Sequence, residues 1–222
     1  MTATLSASVS MDRIYRHQRH IYNITRKFYL LGRDRLIERL APEGNDCVLE
    51  IGCGTGRNLI LAARQYPNAH FFGIDVSGEM LASAREAIAS GKVSSRVTVQ
   101  RADATAFDAL AVLGRSQFER IFISYSLSMI PEWRSVIAKA VSLLAAGGEL
   151  HIVDFGGQEG LPDWFRSALR HWLTLFHVTP RDDLEVTLTT FIGPGRASLI
   201  HERPYRGYSQ LAVLKKHRDF AG

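Results

Sequence analysis

Residues 50–58 read Glu50-Ile51-Gly52-Cys53-Gly54-Thr55-Gly56-Arg57-Asn58, and the fold turns on how this stretch is punctuated. An apolar run, Asp46–Ile51, stops at three glycines set at alternate positions, and Asn58–Gln65 then takes up a helical spacing. Glycine is required where the backbone adopts positive φ or comes close to a ligand. A strand, a glycine turn and a helix in that order put the turn at the carboxyl end of a strand, where open α/β sheets bind their ligands.

Working outward, the alternation continues. His70–Asp75, Arg96–Gln100, Arg120–Ser124 and Glu149–Asp154 are short, apolar and rich in β-branched or aromatic residues, as strands buried on both faces should be. Gly78–Ser90 and Glu132–Leu144 are helix-like, the latter stopped by Ala145-Ala146-Gly147-Gly148. This order predicts parallel pairing through right-handed crossovers. Ala197–His201 and Ser209–Lys215 flank a turn-rich Glu202–Tyr208, the pattern of a closing antiparallel pair. The expected fold is α/β: a doubly wound, mostly parallel Rossmann-like sheet with a terminal antiparallel strand, plus an N-terminal helical extension.

That extension, Met11–Leu40, reads as helix. Ile14, Ile21 and Phe28 recur at one spacing and Tyr15, Tyr22 and Tyr29 at the same spacing beside them, forming one broad stripe before the Pro42-Glu43-Gly44 break. The division expected is a mobile tail at 1–10 and a single domain at 11–222. Within it lie a helical, membrane-facing lid at 11–40, a cofactor-binding core at 46–155, and an acceptor-side helix with terminal hairpin at 156–222.

The 222 residues hold 27 Lys+Arg against 22 Asp+Glu, a formal net charge of +5. Eight basic and three acidic residues lie between Asp12 and Arg39, residues 40–165 carry a net −4, and residues 166–222 a net +4. Two basic flanks around an acidic middle raise the prior for an anionic surface, nucleic acid or membrane. The hydrophobic content of 46% excludes disorder as the default. No apolar run approaches the ~18–20 residues that cross a bilayer, and the first ten residues do not read as a secretory signal. Cys47 and Cys53 make neither a disulfide framework nor a metal cluster, which fits a reducing cytoplasm. No metal is expected.

A glycine loop alone also serves dinucleotide enzymes. Here the spacing is G-x-G-x-G rather than G-x-G-x-x-G. Glu50 stands two residues before the first glycine, where a carboxylate repels a pyrophosphate and suits an ammonium group. Asp75 ends the second strand, where an acid can take a ribose diol. Together these resemble the class I S-adenosylmethionine-dependent methyltransferases over about residues 46–155. The resemblance implies S-adenosyl-L-methionine as cofactor and S-adenosyl-L-homocysteine as product. It implies cofactor contacts from Glu50, Gly52, Gly54, Asp75, Val76, Asp103, Ala104, Ser124 and Arg33. Gly52 and Gly54 would line the methionine portion and Asp75 would hold the ribose hydroxyls. Asp103 and Ala104, in Ala102-Asp103-Ala104, would meet the adenine.

The acceptor must be read from the elements around the sheet. Class members that methylate planar amide or base nitrogens resemble one another in an Asn/Asp-Pro-Pro-Tyr/Phe after the fourth strand, where this chain has Ser124-Tyr125-Ser126-Leu127-Ser128-Met129-Ile130-Pro131. An aliphatic amine needs less from the protein, because proximity and orientation alone can supply up to ~7–11 kcal/mol. A quaternary ammonium product calls for an aromatic pocket, each ring adding ~0.5–2 kcal/mol. Tyr22 and Tyr125 are the candidate catalytic-site aromatics, and His151, His177 and Asp154 the candidate proton acceptors. Leu161–Pro180 (LPDWFRSALRHWLTLFHVTP) has one large apolar face and a basic side. A helix of that kind can lie at a bilayer interface or simply pack over the sheet.

Five stretches narrow the resemblance: Tyr15–Tyr22, Leu30–Leu36, Ser124–Pro131, Val153–Gly156 and Phe176–Arg181. They look like the bacterial betaine-lipid N-methyltransferases over about residues 11–208. That family converts diacylglyceryl-homoserine to diacylglyceryl-N,N,N-trimethylhomoserine by three methyl transfers, after an aminocarboxypropyl transferase has made its substrate. The resemblance implies a lipid substrate at an anionic membrane surface, functional pairing with that transferase, and a cytoplasmic protein held peripherally on the inner face of the membrane. In one departure, the stretch from Arg181 to Ala197 leaves little room for the helix usual before the terminal hairpin. Another lipid or small-amine N-methyltransferase, such as one acting on phosphatidylethanolamine, would share every motif from Glu50 to Asp103. Two readings from other classes stand beside these. Glu50 and the glycine spacing weigh against an NAD-dependent oxidoreductase. A nucleic-acid-binding protein would explain the basic flanks, but the flanks interleave with apolar residues and carry no recognised nucleic-acid motif, so no nucleic-acid partner is expected.

Overall fold

Strand β1 (Cys47–Ile51) is buried along its whole length and lies inside the sheet, paired on both edges. A computed structural model describes residues 30–193 and 195–218. In chain order these form α1 (Arg33–Leu40), β1, α2 (Arg57–Gln65), β2 (His70–Asp75), α3 (Gly78–Ser90), β3 (Val97–Arg101) and α4 (Ala109–Leu113). There follow β4 (Phe118–Ser124), a 3-10 turn (Leu127–Met129), α5 (Trp133–Ser142), β5 (Leu144–Phe155), α6 (Asp163–Thr174), α7 (Leu184–Thr189), β6 (Ala197–Glu202) and β7 (Ser209–Lys216).

The seven strands lie in the order β3-β2-β1-β4-β5-β7-β6. Neighbours from β3 to β5 are parallel, while β7 runs antiparallel to both β5 and β6. The strand order reverses between β1 and β4, so the crevice at their carboxyl ends is the topological switch point of the sheet.

Alternation along each strand divides the core into two layers. Val48, Phe71, Phe122 and Val153 face a cluster completed by Leu36 of α1, Leu59 of α2, Leu81 of α3 and Leu173 of α6. Leu49, Ile74, Ile123 and Ile152 face the other side, with Leu113 of α4, Val136 of α5 and Leu188 of α7. The continuous apolar runs in the sequence are the signature of this two-sided burial.

Three expectations are corrected within the described residues. The helix expected across 11–40 is not continuous: Gly32, at φ +88°, breaks the chain, and α1 starts at Arg33. The rest of that stretch, with Tyr22 and the tyrosine stripe, lies outside the described residues, as does the 1–10 tail. Second, Ala145-Ala146-Gly147-Gly148 sits inside β5 instead of between helix and strand. The β4–β5 register shifts between Phe118 and Arg120, and Gly147 at φ +78° absorbs the irregularity, so glycines that read as a helix stop serve a bulge. Third, the short stretch after Arg181 does hold a helix, the six-residue α7, whose Leu184 and Leu188 are fully buried.

Among the described residues no helix is long and apolar enough to cross a membrane. None of their His, Cys, Asp and Glu side chains forms a group able to hold a metal ion.

Candidate active site

The glycine loop folds back over the end of β2. The amides of Gly52 and Cys53 both donate to the carbonyl of Ile74, at 2.9 and 3.0 Å. Gly52 has φ +76°, and a Cβ there would lie 2.6 Å from Cβ of Ser126, so close packing against the turn after β4 excludes any side chain. Gly54, at φ +53°, differs: a Cβ there would meet nothing within 4 Å. The backbone at Gly54 therefore borders open space at the switch point.

Asp75 locks this loop. Its Oδ2 accepts from the Gly54 amide at 2.8 Å and its Oδ1 from the Ser77 amide at 2.9 Å. A carboxylate oxygen can accept more than one hydrogen bond, so the group can hold the loop and still receive hydroxyl donors. Glu50 is buried and accepts from Nδ2 of Asn58 at 2.8 Å, which ties the end of β1 to the first turn of α2. Burial, with the neighbouring charges of Glu50 and Asp75, pushes the Cys53 thiol well above its ordinary range. It stays protonated and is no nucleophile.

On the far side of β2, Val76 is half-buried and its carbonyl accepts from Nε of Arg101 at 2.9 Å. Asp103 Oδ1 accepts from both the amide (2.9 Å) and the hydroxyl (2.7 Å) of Thr105, a closed turn that fixes the carboxylate. Ala104 packs half-buried against the second core layer.

The turn after β4 is held from several elements. Tyr125 takes φ +54°, a left-handed conformation rare for a bulky residue, which costs of order 1–3 kcal/mol and persists only where the surroundings fix it. The Ser126 hydroxyl donates to the carbonyl of Ile51 at 3.1 Å. The Ser128 amide donates to Oδ2 of Asp154 at 3.0 Å, and the Thr179 amide donates to the Ser128 carbonyl at 2.8 Å. The Arg181 guanidinium donates to the carbonyls of Leu127 (3.1 Å) and Ile130 (2.8 Å). Burial pushes Asp154 up to about 6, against the hydrogen bonds from Ser128 and Phe155 and the charge of Arg181. The Ser124 hydroxyl is buried and has no hydrogen-bond partner among the described residues.

Several expected site residues therefore come together: Glu50, Gly52, Gly54 and Asp75 around one loop, with Ser124 at the end of the adjacent strand. Others sit differently from the expectation. Tyr125 is 2% exposed, inside the first core layer rather than on an open wall, its ring edge-on to Phe155 at 4.8 Å. Burial holds its phenol well above the ordinary range. Arg33 is buried too, its Nε donating to the Leu30 carbonyl at 3.3 Å. His151 lies inside β5, Nε2 3.0 Å from Oε2 of Glu149, and burial lowers its pKa, so it stays neutral. His177 is exposed. The sequence reading missed Arg181 and the use of Asp154 as an anchor. The one signal was an Asp next to the last residue of β5, much as Asp75 is the last of β2.

Fold and loop together resemble those of the class I S-adenosylmethionine-dependent methyltransferases. Residues 48–148 match the family model described as "Methyltransferase domain". The chain is 26% identical over 143 residues to an O-methyltransferase of Pyrenophora dematioidea, covering 64% of this chain and 51% of that protein. It is 29% identical over 142 residues to the methyltransferase GfsG of Streptomyces halstedii, covering 64% and 49%. The chain thus spans about half the length of the curated relatives it matches. The plantazolicin methyltransferase BpumL, solved with S-adenosylhomocysteine, shares the fold at a TM-score of 0.70 and 16% identity, over 97% of this chain and 98% of that one.

The cofactor that the resemblance implies is S-adenosyl-L-methionine, and the residues present fit it. The open side of Gly54, the unpartnered buried hydroxyl of Ser124 and the Asp75 carboxylate pinned at the end of β2 lie at the carboxyl ends of the neighbouring strands β1, β4 and β2.

Proposed function

We propose that this chain is an S-adenosyl-L-methionine-dependent N-methyltransferase that converts diacylglyceryl-homoserine to its N,N,N-trimethyl betaine lipid at an anionic membrane surface. When bound, the cofactor supplies a methyl group on a sulfonium sulfur. Asp75 receives the ribose hydroxyls and Glu50 faces the ammonium end, with Asn58 keeping its carboxylate in place. Gly52 and Gly54 leave room for the methionine portion. Val76, Asp103 and Ala104 bound the adenine, Ser124 offers its hydroxyl beside the methionine portion, and Arg33 fixes the segment leading into α1.

The observation that carries the amine reading is the turn after β4. Its backbone is fastened by Asp154, Thr179 and Arg181, and its sequence is Ser126-Leu127-Ser128 where members acting on planar nitrogens resemble one another in a proline-rich tetrad. An aliphatic amine needs no such tetrad, because its lone pair is already localised on nitrogen and only position and orientation have to be supplied. The five stretches of resemblance supply the lipid.

The test is incubation with labelled S-adenosyl-L-methionine and diacylglyceryl-homoserine, followed by lipid analysis, with parallel arms of phosphatidylethanolamine and of a carboxylic-acid acceptor. Mono-, di- and trimethylated homoserine lipid is the expected result. Label on phosphatidylethanolamine alone would move the acceptor to another aminolipid. Label on the acid alone would make the chain an O-methyltransferase, the activity named for the Pyrenophora relative.

A further inference from the structure

Helix α6 has two unlike faces. Leu169, Trp172, Leu173 and Phe176 pack inward on the layer that holds Tyr125 and Phe155, so the helix lies against the side of the sheet on which the site is built. Outward, Trp164, Ala168, His171 and Leu175 follow one another at helical spacing, with Trp164 73% and Leu175 63% exposed. Phe165 is also exposed and stands edge-on to Trp164 at 5.7 Å.

The helix cannot roll to hide this stripe. Arg170 donates to Oε1 of the buried Gln158 at 3.1 Å and reaches both carboxylate oxygens of Asp182 at 3.0 Å, pinning α6 to the loops on either side. A tryptophan and a leucine held outward on a clamped helix are the feature of an interaction surface.

We propose that the Trp164–Leu175 stripe of α6 is a docking surface for an anionic phospholipid bilayer. The proposal rests on the lipid-acceptor reading above. Charge favours this occupant: the chain carries a net +5, and the segment 166–222 that contains most of α6 carries a net +4 against −4 over residues 40–165. Tryptophan suits the bilayer interface, since its ring is apolar and its N–H is wet. On α6 itself Arg166 pairs with Asp163 at 2.9 Å and Arg170 with Asp182. The helix thus contributes apolar insertion, and the exposed Arg206, whose carbonyl accepts from the Gly160 amide just before α6, adds basic charge beside it.

The test uses the full chain and vesicles of phosphatidylglycerol and phosphatidylcholine. Wild type should co-sediment, with a blue shift of tryptophan emission and quenching by brominated lipid, because Trp133 is buried and Trp164 is not. Trp164→Ser with Leu175→Ser should weaken the partition by roughly tenfold or more. Thermal stabilisation by S-adenosylhomocysteine should not change, since neither residue borders the crevice. Equal partition of variant and wild type, or no wild-type partition, overturns the proposal. Methylation of detergent-dispersed diacylglyceryl-homoserine separates the two readings. Stripe-dependent vesicle binding without methyl transfer sinks the acceptor and keeps the surface, and methyl transfer with stripe-independent binding does the reverse.

Discussion

The phenol of Tyr125 donates a 2.6 Å hydrogen bond to the backbone carbonyl of Leu31, 94 positions away in the chain. It joins the turn after β4 to the residue before Gly32, where the chain swings into α1. Tyr125→Phe removes the donor and leaves the half-buried Leu31 carbonyl without it, which costs about 1 kcal/mol. The expected result is a melting temperature several degrees lower and a product series stalled at partly methylated lipid. Unchanged values of both, by calorimetry and lipid analysis, would reduce the phenol to passive packing.

Gly52 and Gly54 should respond oppositely to alanine. At Gly52 the new Cβ falls 2.6 Å from Ser126, so Gly52→Ala should destabilise the fold by several kcal/mol. At Gly54 it enters open space and meets only the positive-φ penalty, about 1 kcal/mol. Gly54→Ala should stay folded and lose its thermal shift with S-adenosylhomocysteine. A retained shift would remove Gly54 from the crevice.

Asp75→Ala should abolish cofactor binding by calorimetry, because it removes both the diol acceptor and the lock on Gly54 and Ser77. Asp75→Asn separates the two roles. One of the two amides must then face an NH2 group, so affinity should fall at least tenfold while the melting temperature moves only a few degrees. Tight binding by either variant would be incompatible with the site.

Asp154 predicts a pH signature. Its pKa is raised to about 6 in the folded chain from 3.8, so the native state binds the proton more tightly than the unfolded one. Stability from this group therefore rises as pH falls through 6 toward 4, by about 3 kcal/mol in all. His151, with its pKa lowered by burial, acts the other way below about 6.5, and Glu149, lowered to about 2, loses its contribution only as pH falls from 4.5 toward 2. The measurable quantity is thus the difference between wild type and Asp154→Asn in denaturant unfolding. Wild type should gain on the variant from pH 7 to pH 4. A constant difference would contradict the buried carboxylate.

Elements set by local pattern were legible, although β4 and β5 begin earlier than their apolar runs. His70–Asp75 and Gly78–Ser90 match β2 and α3 residue for residue, the latter helped by Ser77, whose hydroxyl caps the helix at the Met80 amide. What failed depended on partners distant in sequence. Gly147 and Gly148 read as a helix stop because a bulge belongs to the pairing of β4 with β5, which no window around those glycines contains. Tyr125 read as a pocket aromatic because its burial is decided by Leu31 and Phe155. The roll of α6 was equally hidden, since it is set by Arg170 through Gln158 and Asp182. At the site, the acids that end strands could be read, while the fastening of the turn by Arg181 could not.

β7 follows β6 in the chain yet lies between β6 and β5. On a ribosome, β6 therefore emerges with no strand to join and must wait for the segment synthesised after it. The two strands can close on each other first, about the Glu202–Tyr208 turn, and dock as a unit with β7 against β5. Until then β5, with His151 and Asp154 on it, is an open edge, the kind of surface that recruits foreign strands. The completed hairpin is thus also a guard for the nascent chain.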